Sequence, residues 1–202
     1  MRRLLQIART GLASLALTLA FGGPLRAEGG TWTVERDVVT PSYAFIEPRT
    51  SDFNIDTVVL ACEQADERRV VQLQLYLSNE GPLVPANARA DRLKTNPRAE
   101  VSIDGRVFPI DILFAGDHVV LADETDRMFP GVSDRLLDSL QEGQVMKLRL
   151  DLVAEPGRDS DAFDGETVID LRGADSRSVI AAVRRCGAES DLQSAALEPP
   201  HR

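Results

Sequence analysis

The stretch VVQLQLYLS, residues 70–78, sets Val71, Leu73, Leu75 and Leu77 at every second position, with Gln72, Gln74 and Tyr76 between them. A period of two does not fit one side of a helix; it is the pattern of a strand with one face in a core. VMKLRLDLVA, residues 145–154, repeats it, with Met146, Leu148, Leu150 and Leu152 against Lys147, Arg149 and Asp151. IDTVVLAC puts Val58, Leu60 and Cys62 on one face, and TWTVERDVV does the same for Trp32, Val34 and Val38, with Arg36 interrupting. Segments of this kind must cover their apolar side with another sheet or with helices. That predicts a mainly β (α+β) fold, an antiparallel β-sandwich-like domain.

The polar EQADERR joins IDTVVLAC to VVQLQLYLS as a hairpin. AEVSIDGRVFPIDILFAGDHVVLA has turn signals at Asp104-Gly105 and Gly116-Asp117 between three apolar runs, which predicts a three-stranded meander. Pro109 in its middle run has no N–H to give a ladder, so that run is expected to be an edge strand or to carry a bulge. FDGETVIDL supplies a final strand. Two short helices are expected. SDRLLDSLQEG starts at a Ser133 cap, carries Leu136, Leu137 and Leu140 on one side and stops at Gly143. DSRSVIAAVRRCG starts at Asp175 or Ser176 and stops at Gly187, with Val179, Val183 and Cys186 on one face.

The first 27 residues have basic Arg2 and Arg3, an apolar stretch from Leu12 to Phe21 and small residues ending at Ala27, the three parts of a secretory signal peptide. Cleavage is expected after Ala27 and the mature chain in the periplasm. The apolar stretch is too short for a membrane span, which needs roughly 20 residues. Residues 28–187 are expected to form a single β-rich domain, and 188–202, without apolar periodicity, a disordered tail. Removing Arg2, Arg3, Arg9 and Arg26 leaves 19 of 23 basic residues against 32 acidic ones, a net charge of −13 in place of −9. So acidic a surface repels phosphate backbones and anionic lipids, which argues against nucleic acid and leaves protein as the expected partner.

An exported chain with two inward-facing cysteines favours a disulfide, here Cys62 to Cys186, clamping the last helix to the sheet. The alternative is two separate buried thiols. In the chain-entropy treatment, closing a loop of this length contributes on the order of 4–5 kcal/mol. A redox role would need a C-x-x-C spacing, which the sequence lacks.

The order of these features, a strand ending in Cys62, then AEVSIDGR, a short helix before EGQVMKLRL, and FDGETVIDLRG leading into a helix that ends VRRC, resembles a group of small exported proteins of Gram-negative bacteria. These are the periplasmic proteins associated with type VI secretion and, more distantly, those of the invasion-associated locus B type. The resemblance covers roughly Asp56 to Cys186. It implies a compact sandwich-like domain with a clamped helix and carries over no catalytic residue.

Little in the sequence points to catalysis. His118 follows a Gly-Asp turn and His201 lies in the tail; no G-x-S-x-G elbow supplies a nucleophile. Asp117 adjoins His118, but neighbours along a strand point to opposite faces, which would keep the two apart. One ordered histidine and a paired cysteine cannot make a four-ligand zinc site. In DSDAFDGETVID, Asp159, Asp161, Asp164 and Glu166 are candidate calcium ligands, although Phe163 stands where a ligand is needed; a solvated acidic loop is the simpler reading. NEGPLVPANARADRLKTNPRAE reads as a long connection in which Asn87 caps a short helix, and Arg89, Arg92, Lys94 and Arg98 make a basic cluster. That cluster is the candidate partner-binding site, against the alternative of a loop balancing neighbouring acids. The expectation is a non-enzymatic periplasmic binding or assembly module with no cofactor. The alternatives are a small hydrolase and a calcium-dependent structural protein.

Overall fold

The computed structural model describes residues 32–35, 43–65, 68–86, 92–125, 129–154, 162–173 and 176–185. The signal segment, the tail, Arg36, Val38, Asn87, Arg89, Asp159, Asp161 and Cys186 lie outside the described residues. In chain order the elements are β1 (Thr33–Glu35), β2 (Tyr43–Ile46), β3 (Thr50–Ser51), β4 (Ile55–Ala65), β5 (Arg68–Leu77), β6 (Leu93–Ile103), β7 (Arg106–Ala115) and β8 (His118–Ala122). Helix α1 (Asp134–Glu142), β9 (Val145–Val153), β10 (Gly165–Asp170) and helix α2 (176–185) follow.

The strands pair antiparallel in the order β1-β2-β4-β5-β8-β7-β6-β9-β10-β3. Strands β2 and β3 stand second and tenth, yet only Glu47, Pro48 and Arg49 separate them in sequence. In a flat sheet those positions would be eight spacings apart, about 38 Å, whereas four Cα steps reach about 14 Å. The sheet must therefore curl until its ends approach, and the Arg49 amide duly donates to the Val168 carbonyl at 2.8 Å. The sandwich-like expectation is corrected on this point: the strand order is one continuous curled sheet, not two separate layers.

Continuity runs through β7, which changes partners midway. Its residues Arg106 to Ile110 pair with β6, and Asp111 to Ala115 pair with β8. This refines the expectation for Pro109: β7 is an interior strand of the sheet, but around Pro109 it pairs on one side only, so the proline stands at a local edge, with no register shift in its ladder to β6. The hairpin turn has positive φ at Asp104 (47°) and Gly105 (87°), as a two-residue type I′ turn requires. Ile103 and Arg106 then form a hydrogen-bonded pair, and alternation makes Glu100↔Pro109 a non-bonded pair. The missing N–H of Pro109 thus points away from β6, toward a side where β8 pairs only from Asp111 onward.

The alternating leucines behave as read. Val58, Leu60, Leu73, Leu75, Leu148 and Leu150 are fully buried, and the β4–β5 ladder runs to Ala65↔Arg68, deep into the stretch read as a connection. Helix α1 begins where its cap predicts, the Ser133 hydroxyl accepting from the Leu136 amide. It lies over the β6–β7 hairpin, with Arg106 donating to the Ser139 hydroxyl at 3.0 Å and Arg135 over the Phe108 ring. Helix α2 adds Val179, Ile180 and Val183 to the same core, and its Arg184 bridges Asp134 and Asp138 of α1.

The hairpin aspartate also fixes the helix exit. Asp104 accepts from the amides of Gln144 (2.8 Å) and Val145 (3.0 Å), tying the β6–β7 turn to the start of β9. Asp104→Ala removes both acceptors and puts an ordinary side chain in left-handed backbone, a loss of roughly 2–3 kcal/mol. Thermal melting is expected to fall by about 4–12 °C, and by less for Asp104→Asn, which tolerates that backbone and keeps one acceptor.

Candidate functional site

Side chains alternate between two faces along each strand, and the face away from the core differs sharply between the two halves of the curl. On β6, β9 and β10 it is a lattice of charge. Arg149 is paired with Glu100, and Lys147 with Glu166 at 3.2 Å. Asp151 is held by Lys94 and by Arg98 at 3.0 Å. Asp151 is only 1% exposed although its position in the alternation puts it on the solvent side. Burial pushes its carboxyl up, but the hydrogen bonds from Lys94 and Arg98 outweigh that and hold it below the usual carboxylate range.

The basic segment 79–98 is therefore not one loop. Lys94 and Arg98 sit in β6 and are spent on Asp151, because a buried carboxylate needs compensating charge. Arg92 is exposed ahead of the strand. Of the calcium candidates, Asp164 accepts from the amides of Leu152 and Val153, and Glu166 pairs with Lys147. The structure does not gather these two into a common ligand set: among the described residues no group of three or more His, Cys, Asp or Glu is placed to hold a metal ion.

Where β7 changes partners, Arg98, Glu100, Val107, Pro109, Asp111 and Phe163 line a cavity of about 500 Å³. Val107 is 48% exposed. Arg98 and Arg149 stand over the Phe163 ring at 5.4 and 4.6 Å. The basic segment and the Pro109 strand, distinct signals in the sequence, thus meet in one cleft.

The outer face of β2, β4, β5 and β8 carries mostly aromatic, aliphatic and amide side chains instead. Register sets Phe45, Val59, Gln74 and Val120 side by side in one row and Tyr43, Ala61 and Gln72 in the next. Gln72 and Gln74, which the alternation assigns to solvent, are 8% and 2% exposed. Their amides are satisfied in a chain: Gln74 donates to Glu63 and to Gln72, each at 3.1 Å, and Gln72 donates to the Pro130 carbonyl at 2.8 Å. Over this face lies a trough of about 640 Å³ lined by Tyr43, Phe45, Val59, Glu63, Gln74 and Tyr76, among others. Alternation shows that a strand has two faces; it cannot show that both will be covered.

Tyr76 stacks on His118, with ring centroids 5.4 Å apart. His118 Nδ1 lies 2.8 Å from Asp117 Oδ1, which corrects the expectation that the two could not meet. Asp117 belongs to the Gly116-Asp117 turn, where strand alternation does not apply. A carboxylate only accepts, so Nδ1 is the donor in this contact. This hydrogen bond holds the Asp117 carboxyl below the usual range. The pair lines a cavity of about 700 Å³ with Ser78 and the exposed Phe114. The Ser78 hydroxyl donates to the Asn54 carbonyl.

Among the described residues no helix is long and apolar enough to cross a membrane. No known protein family, no curated protein and no solved structure matches the chain.

Proposed function

We propose that the chain is an exported, non-enzymatic binding or assembly module of the periplasm, accessory to an envelope or secretion machine, that works by protein contact at the partner switch of β7. The observation that carries this reading is the half-open strand. Between Val107 and Pro109 one side of β7 is laddered to β6, and on the other side β8 has yet to begin. The Val107 N–H and C=O and the Pro109 C=O face that open side, where an incoming extended segment can hydrogen-bond. Phe163 and Arg98 beside it supply apolar and polar contacts. Proline removes one donor, which limits indiscriminate edge pairing. With Lys94 and Arg98 engaged by Asp151, the strand now outranks the basic loop.

Export with cleavage after Ala27 and a Cys62–Cys186 pair belong to the same reading. Cys62 is buried in β4, no free cysteine is found among the described residues, and Cys186 is the chain's one other cysteine.

Photocrosslinking in the cell envelope tests the contact. A crosslinker at position 107 is expected to give a discrete partner adduct that is lost on Phe163→Ala. One at the exposed position 177 on α2 should give none. The same adducts from both positions would move the contact elsewhere.

A second reading, a small hydrolase, is favoured by one observation: Asp117 orients His118 as the acidic member of a Ser-His-Asp triad does. Turnover of an ester or peptide that is abolished by His118→Ala would put this reading first.

A further inference from the structure

We propose that the trough over β2, β4 and β5 is a binding site for an organic cation, an ammonium group carried on a small apolar body. Three features of the trough point to this ligand and away from others.

The first is shape. Tyr43 and Phe45 stand on β2 and Tyr76 on β5, with Val59 and Ala61 of β4 forming the floor between them. Two strand spacings, about 9–10 Å, separate β2 from β5, and register sets Tyr76 opposite Thr57, one row beyond the Phe45–Val59 row, so the aromatic walls stand diagonally across the floor. That admits one flat ring or a methylated ammonium between the walls, and the volume of about 640 Å³ is in the range of small-molecule sites. The second is charge. The described lining includes the carboxylates of Asp56 and Glu63 and no lysine or arginine. An anionic ligand meets no cationic side chain in the described lining, whereas a cation meets both a carboxylate and the negative faces of aromatic rings. The third is order within the site. Glu63 is solvent-exposed yet oriented: it accepts from Gln74 at 3.1 Å, and Gln74 is itself 2% exposed and tied to Gln72. The carboxylate is thereby held over the trough beside Tyr76, whose hydroxyl reaches Gln74 Oε1 at 3.5 Å. The Tyr76 phenol is pushed above its usual range by burial first, then by the negative charges of Asp117 and Glu63.

The site is distinct from the β7 cleft, so its failure leaves the contact proposal standing. Titration calorimetry with three ligands of one carbon skeleton isolates the charge: phenethylamine, 2-phenylethanol and phenylacetate. The ammonium is expected to bind at least tenfold more tightly than the alcohol and the acetate least. Glu63→Gln should erase most of that preference, and Tyr76→Ala should weaken the ammonium by about tenfold, within the range of a desolvated cation–π contact. An acetylated Phe-Lys amide, run alongside, distinguishes an ammonium delivered on a polypeptide from one on a free amine, the tighter of the two naming the source. Unchanged melting temperatures confirm that the variants are folded. Equal affinities for the three skeleton-matched ligands, no binding by either cationic probe, or a preference that survives Glu63→Gln, would overturn the assignment.

Discussion

Gly143→Ala is expected to lower the melting temperature by roughly 4–12 °C. A β-carbon on Gly143 would sit 2.4 Å from Ile103 Cγ2 and 2.6 Å from the Ser139 carbonyl oxygen, and one of those two belongs to the helix's own backbone. Neither has room to give: Ile103 is 3% exposed, and the Ser139 carbonyl accepts the Gly143 amide at 2.8 Å. Overpacking of this kind costs about 2–3 kcal/mol, and a domain of this size loses about 2–4 °C per kcal/mol. Gly143 has φ −72°, so it is required here for space, not for the left-handed backbone that usually calls for glycine at a helix stop. Gly105→Ala is the matched control, since at φ 87° it strains the backbone with nothing within 4 Å of the new carbon. Equal losses for the two variants, measured by calorimetry, would mean that α1 does not press on the β6–β7 hairpin as described.

Breaking the proposed Cys62–Cys186 link, by Cys186→Ser or by reduction, is expected to lower the melting temperature by about 5–15 °C. The loop it closes spans most of the domain, and its chain-entropy contribution is on the order of 4–5 kcal/mol, with measured gains often smaller. The variant should release α2 first: that helix offers the core Val179, Ile180 and Val183 and its ion pairs to α1 are exposed on the acidic side. Thiol titration of the denatured, unreduced protein should find no reactive cysteine. Two reactive thiols there would dismiss the pairing.

What the sequence reveals here is what the chain does locally. The period-two leucines, the Asp104-Gly105 turn and the Ser133 cap are decided by residues within a few positions of one another. The alternating segments therefore became β4, β5 and β9, and the meander became β6 to β8. Features decided by distant partners were not legible. Asp151 reads as the exposed member of VMKLRLDLVA until Lys94 and Arg98 arrive from a strand more than fifty residues earlier. Gln72 and Gln74 read as solvent-facing because alternation counts faces without saying what lies over them. The His118–Asp117 contact was missed for the opposite reason, a strand rule extended by one residue into a turn. The partner change of β7 left only Pro109 as a trace, and a lone proline equally announces an edge.

The pairing of β3 with β10 sets the order in which the chain can fold. Thr50 and Ser51 meet Val168 and Thr167, and the Ser51 and Thr167 hydroxyls lie 2.8 Å apart across 116 residues of sequence. Strands β4 to β8 can assemble as their hairpins emerge, but the curled sheet is completed only by almost the last strand made. Non-local closure of this kind is slow, and until it happens β3 has no partner and β9 keeps an open edge. A chain ending before Gly165 would hold both edges indefinitely and would be expected to find them on a second copy of itself.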